Sequence, residues 1–189
     1  MDAGRGKVFG VGWAKTGTTT LGDALTILGY RHQSARLDLV QDLADGDLSR
    51  ILSVARQHDS FEDWPWLLLF RELDREFPAS KFVLTTRDPA AWLASYRNML
   101  ARKGEATDEV NERRRILYGL PFPDVDDQSL LERYSRHERE VRAHFRDRPG
   151  HLIVVDWAQG DGWPELCAHL GLPVPDRELP HANRGVYDR

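Results

Sequence analysis

The sequence predicts a three-layer α/β fold, with a mostly parallel central sheet between helices, and three stretches carry that prediction. Residues 7 to 20, KVFGVGWAKTGTTT, pass from an apolar run into a compact glycine, lysine and threonine segment, then into a helical pattern with Leu21, Leu25 and Leu28. KFVLTT, residues 81 to 86, reads as a buried central strand, with Arg87 at its carboxyl end and Asp88-Pro89 opening the next helix. HLIVVDW, residues 151 to 157, reads as the last core strand, after the Pro149-Gly150 turn and before the helix of GWPELCAHLGL.

In chain order, the first helix is expected over 18–28 with Gly29 placed to end it, and Tyr30, Arg31 and His32 follow as a short strand or turn, Arg31 and His32 reading as a solvated edge with contact to an acceptor as the alternative. Residues 36–57 hold two weakly amphipathic helices divided near Asp45-Gly46-Asp47, the second marked by Leu48, Ile51, Leu52 and Ala55. Pro65 opens a helix through residue 77, which makes Asp63 a candidate cap at a loop-to-helix junction. Residues 101–129 are charge-dense and then rich in Pro, Gly and Asp, the pattern of a helical insertion with an exposed turn that suits a lid over a cleft. Within it, Arg113, Arg114 and Arg115 read as a solvated face, with a basic rim as the alternative. Residues 129–147 form a helix with Leu130, Tyr134, His137, Val141 and Phe145 on one side, and His137 and His144 read as ordinary members of it. Gly171 is a candidate C-cap for the last helix, and an irregular tail follows. Trp92 reads as packing between helix and sheet, and Cys167 as a small buried residue.

The first of these junctions carries chemistry. A helix start offers unpaired N–H groups to an anion, and the Lys15 ammonium can neutralise a transferred group. Hydroxyls of Thr16, Thr18, Thr19 and Thr20 add donors around Gly17. The loop departs from the nucleotide-kinase pattern G-x-x-x-x-G-K-[ST], because Ala14 precedes the lysine and Gly17 comes two places after it.

Ala14-Lys15-Thr16-Gly17-Thr18-Thr19 resembles the P-K-[ST]-G-T-[TS] loop of sulfotransferases that use 3′-phosphoadenosine 5′-phosphosulfate (PAPS), most closely the compact bacterial P-loop enzymes. Thr86-Arg87-Asp88-Pro89 through Ser95 is similar to their second segment, in which an arginine and a serine eight residues apart bind the 3′-phosphate. The resemblance implies that Lys15, Thr16, Gly17, Thr18, Thr19 and Thr20 hold the phosphosulfate and that Arg87 and Ser95 hold the 3′-phosphate. It also implies a catalytic base about where Asp63 stands, 24 residues before Arg87, although the cytosolic enzymes use histidine there. A carboxylate of ordinary pKa suits a transition state in which proton transfer is late; His58 with Asp59 is the alternative base pair. Absent from the tail is the family's C-terminal glycine-rich basic loop over PAPS, part of whose function Arg184 could supply.

Composition bounds the rest. The 189 residues suit one domain spanning 1–189, and 41% hydrophobic with 30% charged residues is globular, without extensive disorder. A net charge of −4 argues against a general nucleic-acid binder. One cysteine excludes an intramolecular disulfide, and no His, Cys and carboxylate grouping has metal-binding spacing. With neither a signal peptide nor a run approaching the ~18 apolar residues of a membrane span, a soluble cytoplasmic protein is expected. The expected function is therefore sulfuryl transfer from PAPS to a hydroxyl or amine of a small-molecule acceptor, without metal. An ATP- and Mg²⁺-dependent small-molecule kinase and an inactive nucleotide-binding protein are the alternatives, and a homodimer is compatible with the sequence though no heptad specifies one.

Overall fold

The computed structural model describes residues 6–180. Five strands form one sheet in the order β2-β3-β1-β4-β5: β1 (Val8–Gly10), β2 (His32–Gln33), β3 (Ser60–Phe61), β4 (Lys81–Thr85) and β5 (Leu152–Val155). Every pairing is parallel, with Phe9 opposite Phe61 on one side and Phe82 on the other, and Phe82 opposite Leu152. The helices are α1 (Thr18–Ile27), α2 (Val40–Ala44), α3 (Ser49–Gln57), α4 (Phe70–Glu76), α5 (Pro89–Lys103), α6 (Asp108–Tyr118), α7 (Asp127–His144) and α8 (Trp163–Leu170), with 3-10 turns at Leu37–Leu39, Trp66–Leu69 and Trp157–Gln159.

Strand periodicity separates the layers. Successive side chains of a strand face opposite ways, so Val8 and Val83 join α1 and α8 through Leu21, Leu25 and Leu166, whereas Phe9, Phe82 and Leu84 join α3, α4 and α7 through Ile51, Phe70, Val141 and Phe145. Phe9 stacks between Phe61 at 4.9 Å and Phe82 at 5.5 Å, which seats the central strands on one aromatic layer. A third cluster lies beyond the carboxyl ends of the strands, where Trp13, Trp64, Trp92, Tyr96, Tyr118 and Tyr134 pack α5, α6 and α7 together. Cys167, on α8, is buried in the cluster with Val8 and Leu25, as expected.

Several elements differ from expectation. β3 falls inside a segment read as loop, because two residues are too few to show an alternating pattern; pairing on both edges makes it a strand. The expected helix through residue 77 begins as a 3-10 turn, and no side chain caps it. His137 is not an ordinary helix residue: fully buried, it donates from Nε2 to the Val11 carbonyl at 2.7 Å, and burial lowers its pKa to about 4, so the ring stays neutral. His144 likewise joins Arg148 around the Asp74 carboxylate, clamping α7 onto α4.

Candidate functional site

The loop between β1 and α1 is held by groups remote in sequence. Thr16 Oγ1 donates to the Trp13 carbonyl at 2.6 Å and meets Thr85 Oγ1 on β4 at 2.6 Å, while the Thr16 N–H bonds Trp13 as well. Thr16 is thereby occupied in shaping the loop, and the donors left at the helix start are the N–H groups of Thr18, Thr19 and Thr20. Trp92 Nε1 donates to the Ala14 carbonyl at 2.8 Å, and Trp157 Nε1 to the Gly17 carbonyl at 3.2 Å. Gly17 has φ 91°, and a Cβ there would stand 2.4 Å from the Trp157 ring, so no other residue fits.

The second motif, around Arg87, lines the same cavity as the loop. Tyr134 accepts from the Arg87 N–H at 3.1 Å, and its hydroxyl lies 2.8 Å from both the Arg87 carbonyl and Glu138, which fixes the backbone that carries the guanidinium. Asp88 caps α5 by accepting from the Ala91 N–H, orienting the helix on which Ser95 sits two turns in. Burial raises the Tyr134 phenol pKa, so its proton stays in place for these bonds.

Asp63 and Lys15 share an unusual backbone state. Among the described residues they are the two non-glycine positions with left-handed φ, at 67° and 74°, a conformation that costs energy and persists where surroundings enforce it. The Asp63 carboxylate does not cap the following turn; it accepts from the Trp64 N–H at 2.9 Å. Burial and the charge of Glu62 push its pKa up to about 7, against that hydrogen bond and the charges of Lys103 and Lys15. The expected ordinary carboxylate is therefore replaced by one poised near neutrality.

The loop, the Arg87 segment and Asp63 line one cavity of about 1430 Å³ at the carboxyl ends of the strands, where ligands of parallel sheets collect. Lys15, Thr16, Gly17, Thr18, Thr19, Thr20, Asp63, Arg87 and Ser95 are brought together on its wall. His58 and Asp59 are not: they precede β3 at the amino ends of the strands, away from the cavity, where Asp59 pairs with Arg31 and His58 faces the Val54 carbonyl. Arg31 and His32 also lie outside the cavity, and His32 bonds Ser60. Of the arginine triplet, Arg113 and Arg114 line the cavity, whereas Arg115 turns to Glu112 and the Phe122 carbonyl. Arg184 lies outside the described residues. Sequence reasoning missed Trp157 and Tyr134; the first follows β5 at its carboxyl end, a position that could have drawn attention to it, but nothing local distinguishes the second.

A parallel sheet with a strand, anion loop and helix at its centre, and two cationic positions facing one cavity, defines a P-loop α/β nucleotide-binding protein. The profile described as "Sulfotransferase domain" matches residues 7–186, and the chain belongs to that family. It is 26% identical over 215 residues to Ava biosynthesis cluster protein M of Aspergillus versicolor, covering 93% of this chain and 80% of that protein. A crystal structure of a sulfotransferase from Alicyclobacillus acidocaldarius shares the fold, with a TM-score of 0.59 and 15% identity over 97% of this chain and 87% of that one. Family membership supports sulfuryl-transfer chemistry and a PAPS-type donor. Among the described residues, no helix is long and apolar enough to cross a membrane.

Proposed function

We propose that the chain transfers a sulfuryl group from PAPS to a hydroxyl or amine of a small-molecule acceptor. The observation that carries this reading is the gathering of the Lys15 loop, Arg87 with Ser95, and Asp63 around one cavity of about 1430 Å³. A site for one drug-sized ligand occupies roughly 300–1,000 Å³, so there is room for a donor and an acceptor side by side. The donor set fits the nucleotide's charge: helix-start N–H groups and a lysine at one end, an arginine and a hydroxyl at the other.

PAPS would supply the activated sulfuryl group and leave as adenosine 3′,5′-bisphosphate. On this reading the N–H groups of Thr18, Thr19 and Thr20 hold the 5′-phosphate, with Gly17 admitting the backbone turn and Thr16 keeping the loop in shape. Lys15, on the cavity wall, neutralises negative charge that grows during transfer. Arg87 and Ser95 hold the 3′-phosphate. Asp63 receives the proton that the acceptor gives up, and a pKa near the working pH suits a group that must be ionised yet basic. The chain acts as a single domain in which residues 101–129 are the lid, since residues 102–107 and part of α6 face the same cavity.

The test is cofactor selectivity. Arg87→Ala should weaken adenosine 3′,5′-bisphosphate about 10- to 150-fold by calorimetry, the loss of roughly 1.5–3 kcal/mol from one charge-assisted contact, while adenosine 5′-phosphate binding changes little. Equal losses for the two ligands would remove Arg87 from the 3′-phosphate site.

A further inference from the structure

The wall behind Asp63 holds a buried acid that the nucleotide reading does not use. Glu62 is 3% exposed and does not line the cavity. Ser34 donates its hydroxyl to Glu62 Oε1, and His32 Nε2 stands 3.8 Å from the same oxygen. Glu62 Oε2 and His32 Nε2 have no hydrogen-bond partner among the described residues. The imidazole is seated from two sides: Nδ1 meets Ser60 Oγ at 2.9 Å, and a Cβ on Gly22 of α1 would come 2.6 Å from Nε2. A buried carboxylate with one oxygen unpaired costs stability, and an apolar side chain would pack there more cheaply, so packing does not account for it.

Around Glu62 the chain forms a strap. Residues 33–36 run beside residues 62–66 and bond them on both sides of Asp63. The Glu62 N–H donates to the Gln33 carbonyl at 3.4 Å, the Arg36 N–H donates to the Trp64 carbonyl at 2.7 Å, and the Trp66 indole donates to the Ser34 carbonyl at 3.0 Å. Between these bonds stands Asp63 with its left-handed φ of 67°, on the cavity wall, while Glu62 turns to the strap. The charged and titratable groups that act on Asp63 are Glu62 beside it, Lys15 from the β1–α1 loop, Lys103 from the end of α5 and Tyr118 of α6. Glu62 is the one carboxylate among them, and a like charge makes a neighbouring carboxylate hold its proton more tightly.

We infer that Glu62 is a positioning residue for the transfer: fixed by Ser34 and His32, it pins the Asp63 backbone at the cavity wall and keeps a negative charge behind the base. This deepens the sulfuryl-transfer reading and rests on it. Glu62 touches neither donor nor acceptor; it acts through Asp63, by aim and by charge.

The experiment has two arms. In the first, the protein without nucleotide carries carbon-13 at its aspartate carboxyls, and the Asp63 resonance, identified by its loss in Asp63→Asn, is followed against pH by NMR. Glu62→Gln keeps an oxygen for the Ser34 hydroxyl and removes the charge, so the Asp63 midpoint should fall from about 7 by at least about half a pH unit. In the second arm, Ser34→Ala keeps the charge and removes the hydroxyl at an exposed position. Single-turnover transfer should slow by about tenfold, with adenosine 3′,5′-bisphosphate affinity within about twofold of the parent, and Ser34→Thr should restore the rate. Thermal unfolding shows which variants are folded, and the exposed Ser34 pair decides the matter even where Glu62→Gln unfolds the chain. A midpoint that stays or rises in folded Glu62→Gln, a Ser34→Ala rate equal to the parent's, or a Ser34→Thr rate no better than that of Ser34→Ala overturns the inference. So does a marked loss of bisphosphate affinity, which would assign the strap to the nucleotide. A parent without transfer defeats the underlying sulfuryl-transfer reading instead, and the titration still reports whether Glu62 acts on Asp63.

Discussion

The two walls of the cavity are built in opposite ways. On the loop wall, residues 13–20, side chains from three other elements tie the loop: Trp92 on α5 and Trp157 after β5 reach the Ala14 and Gly17 carbonyls, and Thr85 on β4 meets the Thr16 hydroxyl. The opposite wall, the end of α5 with α6, is held mainly toward one end. Leu117 and Tyr118 are buried at the carboxyl end of α6, where Arg133 secures the Tyr118 carbonyl at 2.9 Å, and nearer its start only Asn111 is buried, its amide facing the Ala106 carbonyl. At the other end of α6, Gly104 with φ 67° and an exposed cap at Thr107 join it to α5. The loop wall is tied by distant elements, as stabilisation of developing charge requires, whereas the start of the helical wall is joined through local contacts at Gly104 and Thr107. Asp63 stands where they meet.

Changes at that meeting point should have the largest effect. Asp63→Asn keeps the left-handed backbone, which asparagine tolerates well, and removes the proton acceptor. Single-turnover sulfuryl transfer should slow by roughly 10²- to 10⁴-fold with bisphosphate binding unchanged. If Asp63 has the proposed role, the ionised carboxylate is the active form, so the parent rate should climb with pH and level above about 7, and the variant should lose that rise. Stability runs the other way. A carboxyl whose pKa is raised on folding contributes stability that is complete below its ordinary value of 3.8 and lost as pH rises through about 7. Urea unfolding at pH 5 and pH 8 should therefore show the parent weakening relative to the variant at the higher pH. A variant rate within twofold of the parent would leave Asp63 without a catalytic role.

A smaller effect is expected on the loop wall. Trp92→Phe leaves the ring stack on Tyr134, 4.6 Å away, but strips the buried Ala14 carbonyl of its donor. The cost should be roughly 1–3 kcal/mol by denaturant unfolding, with weaker bisphosphate binding because the loop loses a tie. Unaltered affinity would show the loop to be rigid without it. The smallest change belongs to the helical wall, where Thr107→Ala removes a cap bond of 3.3 Å to the Val110 N–H at an exposed site. About 0.5–1 kcal/mol should be lost, read as faster hydrogen exchange confined to the first turn of α6. Acceleration spreading to the β1–α1 loop would erase the contrast between the walls.

That contrast also separates what was legible in the sequence from what was not. The Lys15 loop and the Arg87–Ser95 pair could be read because each is a short segment at a strand-to-helix junction, where spacing alone fixes which groups share a rim. The sheet's central strands announce themselves as apolar runs, but β3, with two residues, became a strand through its neighbours β1 and β2. Arg113 and Arg114 looked like a solvated face, since a charge-rich helix reads the same whether its arginines meet water or a cavity.

By itself the sequence determined the α/β layering and the position of the loop at the start of α1, because hydrophobic period and helix-start chemistry are local properties of the chain. Tertiary structure alone decided the character of Asp63. Its pKa depends on how much water is excluded and which charges approach, and Glu62, Lys15 and Lys103 reach it from the preceding residue, the β1–α1 loop and the end of α5. The neutral His137 under Val11 and the tryptophans that hold Ala14 and Gly17 follow the same rule: their roles come from partners 78 to 140 residues away, at distances that no local pattern encodes.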